Sequence, residues 1–319
     1  MASSTRSLRI GVVGYGHLGQ FLVEKILSEG PEVGLELAFV WNRNPDKFKG
    51  VVAEEFVLQD LSSFAERRSD VIVEVCHPHI VKEFGVRFLS KSHFMVGSPS
   101  ALSDSALNQN LREAAQRYNK TLYVPSGALW GGQDIQRLSD SGALKGLFIR
   151  MSKHPSCFRL TKDVLSDWSE GEGRRVLFRG SVAELCPVAP NNVNTMAAAA
   201  VAAGALGFNG VQGEIVSDTQ LGDYHVVEVE VTGPDGFTVH TVRRNPAKLG
   251  AVTGSLRTSL SGTVYSFVKV TEVVFTCAEV NTPKTKTELA CLPVLLLQIF
   301  SILNKAKTKN IYQTLFILN

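Results

Sequence analysis

With 319 residues, 44% of them hydrophobic and 20% charged, the chain has the make-up of an ordinary globular protein of about two domains, which excludes a disordered, collagenous or coiled-coil molecule. Its 33 basic and 30 acidic side chains are interspersed and leave a net charge of +3, so neither a nucleic acid nor a membrane surface is an expected partner.

The first six residues are polar, without an apolar leader, so no secretory signal is expected. Residues 8–13 read as a buried strand, followed by a glycine-rich turn and a helical stretch over 18–27; 35–41 and 71–75 read as the next two strands. A helix over 79–89, a short strand at 94–96, a helix over 103–118 capped by Ser103 or Asp104, and a strand at 121–124 follow. Alternation at this spacing predicts a parallel sheet with helices on both faces. Beyond it the pattern changes: strands at 147–160, 176–178, 213–216 and 225–231 come with less helix between them, apart from an alanine-rich helix over 194–206. Gly233-Pro234-Asp235-Gly236 predicts the turn of a hairpin between 225–231 and 237–242, within an open mixed or mostly antiparallel sheet. From 255 to 319 there is one glycine, no aspartate and nine threonines, and the packing is left undetermined. Its apolar run, 289–303, is broken by Pro293, Gln298 and Ser301 and falls short of the ~20 residues of a membrane helix. Cys76, Cys157, Cys186, Cys277 and Cys291 include no CxxC pair, which argues against a disulfide framework or a zinc site and for a reducing compartment, the cytoplasm.

The chemistry begins at Gly14-Tyr15-Gly16-His17-Leu18-Gly19, a GxGxxG directly after an apolar strand and opening a helix. Gly14 allows the tight turn, Gly16 the approach of a pyrophosphate to the backbone, and Gly19 close packing of helix on strand, with the helix N-terminus facing the phosphates. The alternative is a glycine turn kept for packing. At the end of the second strand, where an acidic residue would hold the ribose hydroxyl of NAD, stand Asn42 and Arg43; an arginine there suits the phosphate of NADP, or is a solvated loop residue. His77 and Pro78, after the third strand, lie where a parallel sheet places a ligand-facing loop, and with no third ligand nearby they argue for a turn over the cofactor rather than a metal. Lys153, at a strand end, is either a holder of a substrate carboxylate or a surface lysine. The asparagines of Pro190-Asn191-Asn192-Val193-Asn194 either cap the alanine-rich helix or turn their amides to a cofactor or an anion. His225 is the histidine whose neighbourhood suggests a positioned acid–base group, with Asp218 or Asp223 to orient it.

These pieces, with Val73-Glu74-Val75-Cys76-His77-Pro78, Pro125-Ser126-Gly127-Ala128-Leu129-Trp130-Gly131-Gly132, Gly180-Ser181-Val182-Ala183, Asp223-Tyr224-His225 and Asn245-Pro246, resemble the L-aspartate dehydrogenase family over about residues 8–255. The resemblance implies oxidation of L-aspartate to iminoaspartate with NAD or NADP, the imine then hydrolysing to oxaloacetate and ammonia. It implies His225 as the acid–base residue, Ala128 and Asn194 as cofactor contacts, and a homodimer. Two departures stand out: the missing acidic residue, and a likeness that fades after Ser255. The expected class is α/β, with a Rossmann-type doubly wound parallel sheet over 1–126, an α+β substrate and dimerisation domain with an open mixed sheet over 127–245, and a divergent segment over 246–319. Two alternatives remain open: a dehydrogenase of another small carboxylate, and a catalytically silent NADP(H)-binding regulator.

Overall fold

The computed structural model describes residues 6–158, 160 and 173–252, together with the backbone of 315–318. Cys277, Cys291 and the apolar run 289–303 lie outside the described residues.

The first half alternates as its pattern predicts. Strands β1 (Leu8–Val13), β2 (Leu35–Trp41), β3 (Val71–Glu74), β4 (His93–Val96) and β5 (Leu122–Pro125) pair in parallel in the order β2-β1-β3-β4-β5. Helix α1 (His17–Glu29) packs with the sheet on one face, and α2 (Pro78–Leu89) and α3 (Ser105–Arg117) on the other. Burial on both faces explains why these strands read as unbroken apolar runs rather than alternating ones. Of the two candidate caps of α3, Asp104 does the work, accepting the Leu107 N–H at 3.1 Å.

The second half follows through α4 (Gly132–Asp140), β6 (Gly146–Lys153), β7 (Arg174–Ser181), α5 (Val182–Val188), α6 (Asn194–Ala202), α7 (Gly207–Gly210), β8 (Gln212–Asp218), β9 (Tyr224–Thr232) and β10 (Thr238–Pro246). Its sheet is mixed, in the order β10-β9-β6-β8-β7, with β6 and β8 parallel and the other pairs antiparallel. The β9–β10 hairpin forms around the predicted turn. The strand expected to reach residue 160 stops at Lys153, because Pro155 has no N–H to donate to a ladder and His154 instead caps the next turn. A short strand, β11 (Leu315–Leu318), pairs antiparallel with the free edge of β5.

One core runs through both halves. The α2 and α3 face of the first sheet, helices α4, α5 and α6, and the inner face of the second sheet form a single buried apolar cluster. Helix α6 is buried all round, from Thr195 to Ala202, which its alanines permit: small side chains let neighbouring elements approach from every side.

Candidate functional site

In the order β2-β1-β3 the chain reverses direction of winding between β1 and β3, so a crevice opens beyond the C-terminal ends of those strands. Gly14 lies there with φ of +117°, a backbone that only glycine adopts without strain, and a side chain on it would meet Cys76 and Val75. A Cβ on Gly19 would overlap the Gly14 carbonyl oxygen, so the third glycine is required by packing. Gly16 differs. Its φ is −77°, and a Cβ there would meet nothing within 4 Å. No steric constraint of this fold demands glycine at Gly16, so the open space above it is room for a ligand. Gly16 is also the N-cap of α1, with no side-chain cap and no acid in the first turn, so the first N–H groups and the positive end of the helix are left for an anion. His17 is exposed and Leu18 half-buried in that same first turn.

Around this turn, Asn42 accepts the Tyr15 N–H at 3.1 Å and donates to the Asn44 carbonyl at 2.9 Å, so its amide shapes the crevice wall. Arg43 is exposed at the β2 end; the pKa of the neighbouring His77 is held down first by burial, then by His79 and last by Arg43. His77 caps α2, its Nδ1 accepting the His79 N–H at 3.1 Å, with Pro78 as the first helical residue. Among the described residues no cluster of three or more His, Cys, Asp or Glu could hold a metal.

Beneath this loop lies a group the sequence reading missed. Glu74, the last residue of β3, is fully buried, and its carboxylate accepts four hydrogen bonds: from the Cys76 and His77 N–H groups at 2.7 and 2.8 Å, and from the Ser98 N–H and hydroxyl at 3.0 and 2.9 Å. Burial pushes its pKa up and these bonds pull it back. One side chain thus ties the loop after β3 to the loop after β4. The available signal was an acid inside the apolar run Val71-Ile72-Val73-Glu74-Val75.

The second sheet supplies the other half. Leu147, Ile149 and Met151 of β6 and Val227, Val229 and Val231 of β9 point into the core, and that face ends in Lys153 and His225, both buried. Their strands are antiparallel neighbours, and Ser152 pairs with Val226 one step before them. Lys153 is held down to about 8 by burial and His225 to about 4 by burial and the nearby lysine, so at neutral pH the ring is uncharged. Neither Asp218 nor Asp223 orients the ring as expected. Asp218 instead caps its own turn through the Gln220 N–H at 2.9 Å. The ring bonds to the backbone at Ala251, an interaction that favours protonation and therefore has the ring donating. Nε2 is buried without a partner among the described residues. The Lys153 ammonium donates to the Val252 carbonyl at 3.0 Å.

The loop before α6 bridges the two halves. The Ser100 hydroxyl, beyond β4, donates to the Pro190 carbonyl at 2.8 Å, and the Asn192 amide donates to the Cys157 carbonyl, beyond β6, at 3.3 Å. The asparagines do not cap α6: Val193 occupies the cap position, with no side-chain bond. Asn194 instead opens the helix with its Oδ1 buried and unpartnered among the described residues, a position for an acceptor awaiting an N–H donor. Ala128 stands half-buried in the turn after β5, where Gly127 has φ of +59°. Helix α6 packs on β5, so Ala128 and Asn194 arise from neighbouring elements.

A family profile described as the homoserine dehydrogenase NAD-binding domain matches residues 14–125, and one described as the aspartate dehydrogenase C-terminal region matches 134–261. An aspartate dehydrogenase domain-containing protein from Danio rerio is 75% identical over 249 residues, covering 78% of this chain and 90% of the relative. An L-aspartate dehydrogenase from Archaeoglobus fulgidus is 25% identical over 240 residues, covering 75% and 88%. The crystal structure of a Thermotoga maritima aspartate dehydrogenase shares the fold with a TM-score of 0.59 at 21% identity, over 88% of this chain and 99% of that one. An NAD-binding crevice on the parallel sheet, joined through α6 to a mixed sheet that carries a buried histidine and lysine, is thus the architecture of a known family, and the chain belongs to the aspartate dehydrogenase domain-containing proteins.

Proposed function

We propose that the protein oxidises L-aspartate to iminoaspartate with NAD or NADP, the imine then taking up water to give oxaloacetate and ammonium. The observation that carries the reading is His225: a buried imidazole whose Nε2 has no partner among the described residues, set on the strand beside the buried Lys153. The nicotinamide cofactor, when bound, accepts the hydride from the substrate α-carbon. Every other task falls to the chain. The first turn of α1 and Gly16 hold the pyrophosphate; Arg43 faces the adenosine end, where it favours NADP; Asn194 Oδ1 and the turn at Ala128 hold the carboxamide. Lys153 holds a substrate carboxylate, and His225 takes the proton released from the substrate amine as the hydride leaves; in the hydrolysis that follows, the ring accepts a proton from the attacking water and a proton passes to the nitrogen, which departs as ammonia. A dicarboxylate beside the ring favours imidazolium, raising the basicity of His225 once substrate is in place.

The assay is reduction of NAD or NADP by the purified protein with L-aspartate, against D-aspartate and L-glutamate. A rate specific to L-aspartate and lost in His225→Ala supports the reading. Cofactor binding without any rate overturns it and leaves the silent, cofactor-binding regulator in its place.

Across the outer face of the second sheet runs a ladder of alternating charge in which Arg150 bonds Glu214 at 2.5 Å and approaches Glu228 at 3.4 Å. Exposed Val176 and Val242 flank it, one on each edge strand. This face is the surface through which the protein forms a homodimer.

A further inference from the structure

Strand β5 is held unequally along its length. Its neighbour β4 pairs with Leu122 and Tyr123 and stops there. Strand β11 pairs with all of it: Leu315 with Pro125, Phe316 with Val124, Ile317 with Tyr123 and Leu318 with Leu122. Among the described residues, Val124 and Pro125 therefore have their ladder partners in β11 alone. These two residues lead straight into the turn that carries Ala128, in which the Leu129 N–H donates to the Ser126 carbonyl at 3.0 Å. Helix α4, which starts at Gly132 on the far side of that turn, also lies against β11. The turn is thus flanked on both sides by elements that β11 touches. Leu122, Tyr123 and Val124 are buried, and a buried strand with an open edge is a template for wrong pairing, so native proteins cover such edges. Strand β11 lies beyond residue 261, where the family profile ends, so the family likeness does not account for it.

We propose that the edge of β5 is a strand-addition surface whose partner is the chain's own segment 315–318, and that this strand, docked in cis, braces the cofactor turn so that docking and NADH binding strengthen each other. The proposal rests on the reading of the turn at Ala128 as a cofactor contact. Strand addition draws its affinity from main-chain hydrogen bonds, and Leu315-Phe316-Ile317-Leu318 is an unbroken apolar run suited to it. A pair of four-residue strands is marginal between separate molecules. Here residues 253–314 join the strand to the body of the chain, so the encounter is intramolecular and a marginal pair is populated. When β11 leaves, the second half of β5 loses its ladder and the turn gains backbone freedom, which the cofactor must remove on binding. When β11 is docked, that ordering is already done. By linkage, the factor by which the strand tightens NADH equals the factor by which NADH tightens the strand.

The test needs no turnover. The 319-residue chain is compared with one ending at Thr308 by NADH titration and by amide hydrogen exchange. The shortened chain is expected to bind NADH about tenfold more weakly and to exchange faster over residues 122–130 without cofactor. A peptide of residues 309–319, added in excess, is expected to restore both. In the complete chain, NADH is expected to slow exchange over 315–318. Two substitutions keep the chain length and guard against a shortened chain that aggregates. The N–H groups of an edge strand point alternately to its neighbour and to solvent, so one of Phe316→Pro and Ile317→Pro removes a ladder bond and the other does not. One of the two is therefore expected to behave like the shortened chain and the other like wild type. Equal behaviour of the two, or unchanged exchange over 122–130 in the shortened chain, overturns the brace. A shortening that turns a dimer into a monomer in light scattering places the strand on a second copy and overturns docking in cis. Parallel assays separate the two claims. NADH binding that depends on β11 in a protein that never oxidises L-aspartate upholds the brace and sinks the dehydrogenase reading. Oxidation of L-aspartate with NADH affinity and exchange independent of β11 does the reverse.

Discussion

Gly16 and Gly19 are three residues apart in one motif, yet only one of them is needed to fold. A Cβ at Gly19 collides with the Gly14 carbonyl, whereas at Gly16 it enters open space at a backbone angle any residue adopts. Gly16→Ala is therefore expected to unfold within about 1 kcal/mol of wild type, since alanine lacks only the capping preference of glycine there. It should nevertheless bind NADH at least tenfold more weakly; equal affinity by titration would remove the phosphate role of this turn. His225→Ala is expected to cost about 10²-fold or more in kcat while sparing cofactor affinity. The same ring governs acid stability. Its pKa is about 4 when folded and about 6.5 when unfolded, so between those values the unfolded chain binds more protons and stability falls as pH falls, by up to about 3 kcal/mol. Lys153 acts in the alkaline range. Folded at about 8 against an ordinary 10.5, it imposes a penalty fully present below pH 8 that is relieved as pH rises toward 10.5. Urea midpoints across pH should lose the acid slope in His225→Gln and the alkaline rise in Lys153→Met.

At the scale of elements, the loops that end β3 and β4 are held by one carboxylate. Glu74→Ala removes the acceptor of four bonds and leaves the buried Ser98 and its neighbours unpaired, a cost of about 3 kcal/mol or more. Because those loops border the crevice, NADH affinity should fall with stability, and a variant that binds the cofactor normally after losing that stability would separate the two roles. The strands and helices of the parallel sheet were legible because each carries its own period and caps. Helices α4 and α5 escaped notice, although α5 opens with a capping box in which Ser181 accepts the Glu184 N–H and Glu184 returns a bond to the Ser181 N–H. At seven residues with Pro187 inside, it is too short to show a helical period. The asparagines before α6 misled for a related reason. Their composition is that of a cap, but the contact of Asn192 with Cys157 and the burial of the Asn194 Oδ1 assign them elsewhere.

For the whole molecule, α6 is the joint. Its alanines pack against the first sheet, the segment after β4 and α4, so the two halves share one core instead of meeting at a polar seam. Ala199→Leu, at a site with no exposure, is expected to overpack that joint and cost about 1–3 kcal/mol, read as a lower Tm. The charged outer face of the second sheet yields a test of assembly. Val242 is 51% exposed and pairs across the hairpin with Glu228, so Val242→Glu places like charges opposite each other on that face. Light scattering on the purified protein should give a dimer for wild type and a monomer for this variant; a wild-type monomer would remove the assembly proposal.

The sequence by itself determined the order of strands and helices in the first half, the glycine turn and its cofactor class, the β9–β10 hairpin and the family resemblance, because those signals are local: period, turn residues and short spacing. Only the tertiary structure decided that Glu74 is a structural knot, that Val193 rather than an asparagine occupies the cap position of α6, that the ring of His225 meets the backbone at Ala251 rather than an aspartate, and that Lys153 and Ser217 share its row. Each of these depends on pairing between residues far apart in the chain, where register decides which side chains meet. The energetic signature, a polar group buried with or without a partner, exists only after the strands have closed.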